Sequence, residues 1–422
     1  MPAEPTLAAQ LAEDAAERFL RYVRIDTQSA EDSDTYPSTD GQLVLLRLLR
    51  DELEHAGLAD PTLDEHGYVT ATLPATVEHD VPTIALFAHV DTAREVSGAG
   101  VEPQRIRYEG GQIGLGDSGQ SIRPEQSPEL ASHVGHELIT TDGTTLLGAD
   151  DKAGVAEIMA AVAHLVSQPE IAHGTVKIAF NPDEEIGRGV VHFPVESFGA
   201  VAAYTVDGST AGELQAETFS GAQVRMRIHG RSIHPGWARG ELVNAIKVAS
   251  DLLSRLPQER LSPETTEERE GYVHPVTVEG DSSEVELRFI ARDFENDRLA
   301  EHVAFLRSLA EAVCEDEPRC SIEVEDRIQY RNTRDALAKH PEIVANLEEA
   351  VRRVGLEPKL TSIRGGTDGS ALTEMGLPTA NIFTGGHDAH SEREWICVED
   401  MGLAAATLVE LARVWAERQR AY

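Results

Sequence analysis

Apolar positions in this chain follow two alternating rhythms. Leu43, Leu45, Leu46, Leu49 and Leu53 recur at helical spacing, predicting a helix over 40–57 that starts after Ser38-Thr39 and stops at Gly57. Another helix is expected over 8–24, with a polar, proline-containing loop between the two. Segments 68–73 and 82–88 read as strands. The second is apolar almost throughout, which suits the interior of a buried sheet, and it runs into His89-Val90-Asp91-Thr92. Val155, Ile158, Met159, Val162 and Leu165 mark a helix of about twenty residues. Strands at 175–180 and 202–206 then lead into Asn181-Pro182-Asp183-Glu184-Glu185-Ile186-Gly187 and Asp207-Gly208. Acids at strand ends, alternating with helices, predict an α/β protein with a doubly wound domain.

Beyond about residue 219 the rhythm changes. Val224, Met226 and Ile228 alternate with Arg225, Arg227 and His229, as in a strand with one solvated face. A helix near 241–256, strands near 272–279 and 284–292, a helix near 296–315 and a strand near 320–329 complete a β-α-β-β-α-β order. That order predicts an inserted ferredoxin-like domain at 219–330, leaving 1–218 and 331–422 to the first domain. In the returning segment we expect a helix over 341–354, a strand at 359–362, a glycine-rich turn at 364–369 and a final helix over 398–419. The run at 380–384 leads to Gly385-Gly386-His387-Asp388-Ala389-His390.

Residues 93–137 are glycine-rich and charged, and are expected to be irregular. Gly114-Leu115-Gly116-Asp117-Ser118-Gly119 matches both a dinucleotide-binding glycine pattern and a serine-protease context. Neither match has its required surroundings, because no buried strand precedes the glycines, no helix comes after them, and no all-β double barrel surrounds Ser118.

Composition narrows the partners. With 422 residues the chain exceeds the usual size of one hydrophobic core, so two domains are the default. Lys and Arg number 37 against 73 Asp and Glu, a net charge of −36, which argues against nucleic acid and anionic membranes as partners. Cys314, Cys320 and Cys397 have no metal-type spacing and read as ordinary thiols of a reducing compartment. With neither a leader pattern at Met1 nor a run of eighteen apolar residues, the expected location is the cytoplasm.

The chemistry gathers at the predicted strand ends, which deliver His89 and Asp91, Asp150 and Asp151, Glu184 and Glu185, and Asp207, while a later loop delivers His387 and His390. Imidazole with carboxylate suits zinc, or cobalt or manganese in its place. Acids converging at one sheet edge repel one another unless cations compensate them, and two ions sharing one carboxylate would do so. Asp91, two residues from His89, can hydrogen-bond the nitrogen of that imidazole that faces away from a metal. Of the adjacent Glu184 and Glu185, one can ligate while the other serves as base to a metal-activated water. Helix capping is the competing reading for the Asp150-Asp151 pair.

His89-Val90-Asp91-Thr92, Thr141-Asp142-Gly143 with Leu147 to Gly154, Pro182 to Gly187, Tyr204 to Gly208, His234-Pro235-Gly236, Ile290 to Phe294, Arg364 to Gly369 and Phe383 to Gly386 together resemble the co-catalytic zinc peptidases. That family includes tripeptide aminopeptidases, aminoacylases and glutamate carboxypeptidases, and the motifs resemble the tripeptide aminopeptidases most. The resemblance implies two zinc ions, one held by His89 and Asp207 and the other by Glu185 and His390, with Asp150 bridging. It makes Glu184 the general base and Asp91 the residue that orients His89, and leaves Asp151 at the helix start. The inserted domain becomes a lid whose His234 stabilises negative charge on the scissile carbonyl oxygen. Asn244, Arg292 and Arg364 are candidates for holding the peptide backbone or carboxylate. The implied activity is removal of the N-terminal residue from small peptide substrates, tripeptides above all. A dipeptidase, carboxypeptidase or deacylase of the same family is the near alternative. A non-catalytic binder would not need Glu184 beside Glu185, and no serine or cysteine nucleophile is evident. An open edge on the lid sheet leaves a homodimer as a further expectation.

Overall fold

The computed structural model describes residues 6–418, which form two compact units. One contains the described residues up to 216 together with 335–361 and those from 367 onward; the other contains 217–334 and 362–366.

An eight-stranded sheet organises the first unit. Its order is Ala59–Leu63, Val69–Leu73, Val176–Asn181, Ile84–His89, Ala202–Gly208, Thr379–Phe383, Glu213–Thr218 and Lys359–Ile363. The four strands from Val176–Asn181 to Thr379–Phe383 run parallel, and antiparallel neighbours flank them. Side chains of Ile84–His89 alternate between two cores, which is why the segment reads as apolar throughout. Ile84, Leu86 and Ala88 join the core shared with helices Leu7–Tyr22, Ala149–Ser167 and Val398–Glu417. Ala85 and Phe87 instead pack with Phe193, Phe198, Leu372 and Leu377 on the opposite face. Register places His89 opposite Asn181 and Thr205 opposite Asn381, so the carboxyl ends of the parallel strands finish side by side. Such an edge is where open α/β sheets present their functional groups.

Helix Ala149–Ser167 crosses this sheet at very close range. A Cβ at Gly154 would stand 1.8 Å from the Val206 carbonyl oxygen, so only glycine lets helix and strand approach this closely. The stripe Val155, Ile158, Met159, Val162 and Leu165 is buried, and so are Ala156, Ala160 and Ala161 between its members.

Segment 93–137, expected to be irregular, is more ordered than its composition suggests. It contributes Gln104–Arg107 to a four-stranded sheet completed by Glu137–Thr140, which begins where the segment ends, and by Trp395–Cys397 and Gly386–His387. Partners from the far end of the chain supply half of this sheet, so no local pattern announces it. The Gly114–Gly119 motif lies on a hairpin of Ile113–Leu115 and Gln120–Ile122, with the Ser118 hydroxyl donating to the Leu115 carbonyl at 2.6 Å. That geometry belongs to neither a dinucleotide loop nor a nucleophile.

In the second unit, strands Tyr272–Gly280, Glu284–Asp293, Ser220–His229 and Ser321–Tyr330 form, in that spatial order, an antiparallel sheet. Helices Ala245–Ser254 and Asn296–Asp316 share a core with Val224, Met226, Ile228, Leu287 and Phe289. Chain order and sheet order together give a ferredoxin-like module. Its first helix begins later than the expected 241, because the Asn244 side chain accepts the Ile246 N–H at 2.9 Å while Val243 still bridges to Arg231.

One buried acid lies within the first core. Glu157 is fully buried, and neither carboxyl oxygen has a hydrogen-bond partner. Burial, with the charge of Asp400 adding to it, raises its carboxyl well above the ordinary 4.5. A group raised in the folded state contributes stability that is full below its unfolded pKa and is lost as pH rises through the folded one. Glu157→Gln should therefore melt higher than the native chain at about pH 8, with the gap closing towards about pH 4.5. Thermal unfolding across that range checks both the sign and the trend.

Candidate metal centre

His89 closes the strand Ile84–His89, and Asp91 just beyond it orients the imidazole. Nδ1 lies 3.3 Å from Asp91 Oδ1 and 3.1 Å from the Asp91 carbonyl oxygen, so the ring proton belongs there and Nε2 is left with its lone pair. The same Asp91 carboxylate accepts the Glu184 N–H at 2.9 Å and the Glu185 N–H at 3.2 Å. A single buried acid thus aligns the imidazole and the acidic loop beside it. Asp183, at the start of that loop, has a left-handed φ of 60°. Its carboxylate accepts from the Ser38 backbone, the Ser38 hydroxyl and the Gln42 amide, which anchor the loop to the start of helix Asp40–Ala56.

Asp150 stands at the centre. Gly148 before it has a φ of 83°, and the Asp150-Asp151 peptide is cis. Glu394 holds this irregular backbone, accepting N–H groups from Leu147 at 2.7 Å, Gly148 at 2.7 Å and Asp150 at 3.1 Å. The two oxygens of Asp150 face different partners: Oδ1 is 3.1 Å from His89 Nε2, and Oδ2 is 3.2 Å from His390 Nε2. Asp207 Oδ1 is 3.7 Å from His89 Nε2, and Glu185 Oε1 is 3.0 Å from His390 Nε2. Each triad, His89–Asp150–Asp207 and Asp150–Glu185–His390, brings its ligand atoms within 4.8 Å of one another.

Charge balance tests whether this donor set suits cations. Among the described residues, no Lys or Arg lies within ion-pair distance of Asp150, Glu185 or Asp207. The nearby Lys152 ammonium instead donates to the Ile25 carbonyl oxygen at 2.8 Å. Burial, with the Asp150 charge, pushes Asp207 up to about 6 and Glu185 up to about 7. Hydrogen bonds to Asp150 and Glu185 raise His390 to about 11. Burial would raise Asp150 too, but hydrogen bonds from His390 and His89 hold it below its usual range. Glu185 Oε1 is buried, with His390 Nε2 at 3.0 Å as its ion-pair partner. In the protein alone, protons must stand where positive charge is wanted. Two divalent cations sharing Asp150 fit this set, since paired ions need a spacing of only ~3.5–4 Å.

Glu184, half-buried, belongs to the same group of charges. Burial raises its carboxyl well above the ordinary range, and Asp368, Asp207 and Glu185 add to the shift. Asp151 departs from the expected helix-start role. It is fully buried, has non-helical backbone angles, and accepts the His89 N–H on Oδ2 at 3.2 Å.

Sequence reasoning passed over Glu394 and Asp368. Both are buried, and burial first of all pushes each up to about 7. Asp368 accepts from the Asn181 amide at 2.5 Å. The only signal for Glu394 was its place four residues after His390. Asp368 had a stronger one, the turn Arg364 to Gly369.

The four candidate substrate residues lie in the second unit, and their described contacts are made there. His234 is exposed, with Nδ1 accepting the Gly236 N–H at 3.1 Å and its ring 4.5 Å from Trp237. Asn244 caps its helix. Arg292 packs over Tyr330 and reaches the Gln329 side chain at 3.1 Å. Arg364 donates to the carbonyl oxygens of Glu268 at 2.7 Å and Glu270 at 3.0 Å.

Known proteins share both this sequence pattern and this fold. Residues 136–414 match the model of peptidase family M20/M25/M40. Peptidase T of Bacillus velezensis is 48% identical over 404 residues, covering 95% of this chain and 98% of its own. Peptidase T of Bacillus subtilis is 47% identical, covering 96% and 98%. Aminopeptidase PepT from Bacillus cereus has a similar fold, with a TM-score of 0.74 at 24% identity, covering 96% of this chain and 99% of its own. A dinuclear metal-binding peptidase of the M20 family from Bacillus subtilis has a TM-score of 0.64 at 15% identity, covering 96% and 98%.

Removing the Glu394 carboxylate should disturb the whole centre. Glu394→Ala strands three backbone donors, at a cost of ~1–3 kcal/mol or more in denaturant unfolding. Loss of an outer support of this kind also weakens metal affinity by about tenfold to a hundredfold, which zinc titration measures.

Proposed function

This chain belongs to peptidase family M20/M25/M40, and on that premise we propose that it is a metal-dependent aminopeptidase that removes the N-terminal residue from tripeptides. The observation that carries the reading is Asp150, whose two carboxylate oxygens face two different imidazoles, each backed by one further acid. The extent of the likeness to the peptidase T relatives supports the substrate class.

In this reading His89 and Asp207 would hold one ion and Glu185 and His390 the other, with Asp150 shared by both. Zinc suits the donors best, with cobalt or manganese able to replace it. When bound, the ions supply Lewis-acid polarisation and lower the pKa of water towards ~7. Glu184 takes a proton from the attacking water and hands it to the amide nitrogen as the amine departs. Asp91 acts through others, keeping His89 Nε2 and the Glu184–Glu185 backbone in place. His234 meets the developing oxyanion, and Asn244, Arg292 and Arg364 hold the peptide. Arg364 would first have to exchange the carbonyl partners that occupy it.

We also place the enzyme in the cytoplasm, in keeping with three free cysteines, and note that none of its described helices is long and apolar enough to cross a membrane. The strand Tyr272–Gly280, an edge of the second unit's sheet with Val276 and Val278 exposed, is suited to pairing in a homodimer.

Glu184→Gln should keep its metal and lose about 10²–10⁴-fold in kcat, because only proton transfer is removed. Metal content and turnover measured on one preparation separate this from loss of the ions. Free tripeptides should be cleaved in preference to dipeptides, N-blocked tripeptides and N-acyl amino acids under one condition. Preference for the blocked substrates would contradict the aminopeptidase reading. Chelation should abolish cleavage, and added zinc, cobalt or manganese should restore it.

A further inference from the structure

A second set of metal-type donors lies in the first unit, between the short four-stranded sheet and the last helix. His133 ends the 3-10 turn Pro128–His133, His387 sits in the strand Gly386–His387, and Asp400 lies in the first turn of helix Val398–Glu417. Their ligand atoms lie within 4.8 Å of one another, and the residues are only 5%, 6% and 6% exposed. His136 and Cys397 form a further triad with His133 by the same measure, so His133 is the common member.

Hydrogen bonding fixes which atoms face inward. His133 Nδ1 lies 2.8 Å from the Glu129 carbonyl oxygen and carries its proton there, which turns Nε2 towards Asp400 Oδ2 at 2.8 Å. With no cation, that contact requires a proton between His133 Nε2 and Asp400 Oδ2. His387 stacks on Trp395 with ring centroids 4.3 Å apart, and its Nδ1 lies 3.4 Å from the Ser209 hydroxyl. Its Nε2 is buried and has no hydrogen-bond partner. Buried ring nitrogens ordinarily find one. Burial, with the charge of a protonated His133, keeps His387 neutral, the form in which imidazole binds metal.

We propose that His133, His387 and Asp400 form a metal site of their own, taking one divalent ion of the zinc class through His133 Nε2, His387 Nε2 and the Asp400 carboxylate. Two imidazoles and a carboxylate are a zinc-type donor set. The Glu129 carbonyl behind His133 and the Ser209 hydroxyl behind His387 are the outer hydrogen bonds such ligands require. Entry of the ion displaces the proton shared by His133 Nε2 and Asp400 Oδ2, which passes to solvent, and no oxidation state changes. Such a site would be structural. It would tie the loop carrying His387 and His390 to the start of the last helix, independently of the peptide chemistry.

The test counts ions in the full-length chain. A His89→Ala, His390→Ala variant lacks one donor from each half of the Asp150 centre and should still bind one zinc ion in equilibrium dialysis with elemental analysis of the retained protein. Adding Asp400→Asn or His387→Gln should weaken that remaining binding about tenfold or more. No ion bound by the first variant, or undiminished affinity after the added substitutions, overturns the proposal. Crystals of the unsubstituted chain grown with saturating zinc give a readout that depends on no variant. Anomalous scattering at the zinc edge should show a peak between His133, His387 and Asp400, and a blank map at that position also overturns it.

Discussion

Two imidazoles meet one carboxylate from opposite sides at Asp150, and the surrounding structure keeps that arrangement from relaxing. Buried acids this close repel one another, and each would sooner take up a proton than share the space ionised. The protein treats them in two ways. Asp91, Asp183 and Glu394 are surrounded by backbone and side-chain donors, which offset their burial. Asp150, Asp207 and Glu185 have imidazoles as their ion-pair partners instead. Acids with donors of their own build the frame. Those facing only imidazole are left short of positive charge, which divalent ions supply.

Parallel strands explain how so many acids reach one place. Their carboxyl ends finish side by side at His89, Asn181 and Asp207, and the loops leaving them add Glu184, Glu185 and His390. The close approach at Gly154 brings the helix that begins around Asp150 onto the same edge. A net charge of −36 is therefore a poor guide to the site. Most of it lies elsewhere, and the chemistry depends on the few acids that the sheet gathers.

Much of this was legible in the sequence, for identifiable reasons. Strands at 84–89, 176–181 and 202–208 are buried on both faces, so they read as apolar runs, and the polar residues at their ends stood out. Amphipathic alternation announced the second unit as clearly. What stayed hidden depended on contacts between distant segments. Gln104–Arg107 and Glu137–Thr140 pair with each other and, through Trp395–Cys397, with the far end of the chain, and nothing in their own composition records that. Glu394 resembled any loop acid until its three backbone partners were seen. Asp151 looked like a helix cap because Asp favours that position, but burial turned it towards the His89 backbone.

Asp91 has a consequence for tolerance to displacement. Because one carboxylate fixes both the His89 ring and the backbone of Glu184 and Glu185, any drift of the strand end carries all three together. Positional errors of these groups are therefore correlated, and their mutual spacing varies less than the place of any one of them. A centre coupled in this way can ride on a sheet that breathes. It would fail abruptly once the common anchor is removed, since independent drift would then return to every group at once.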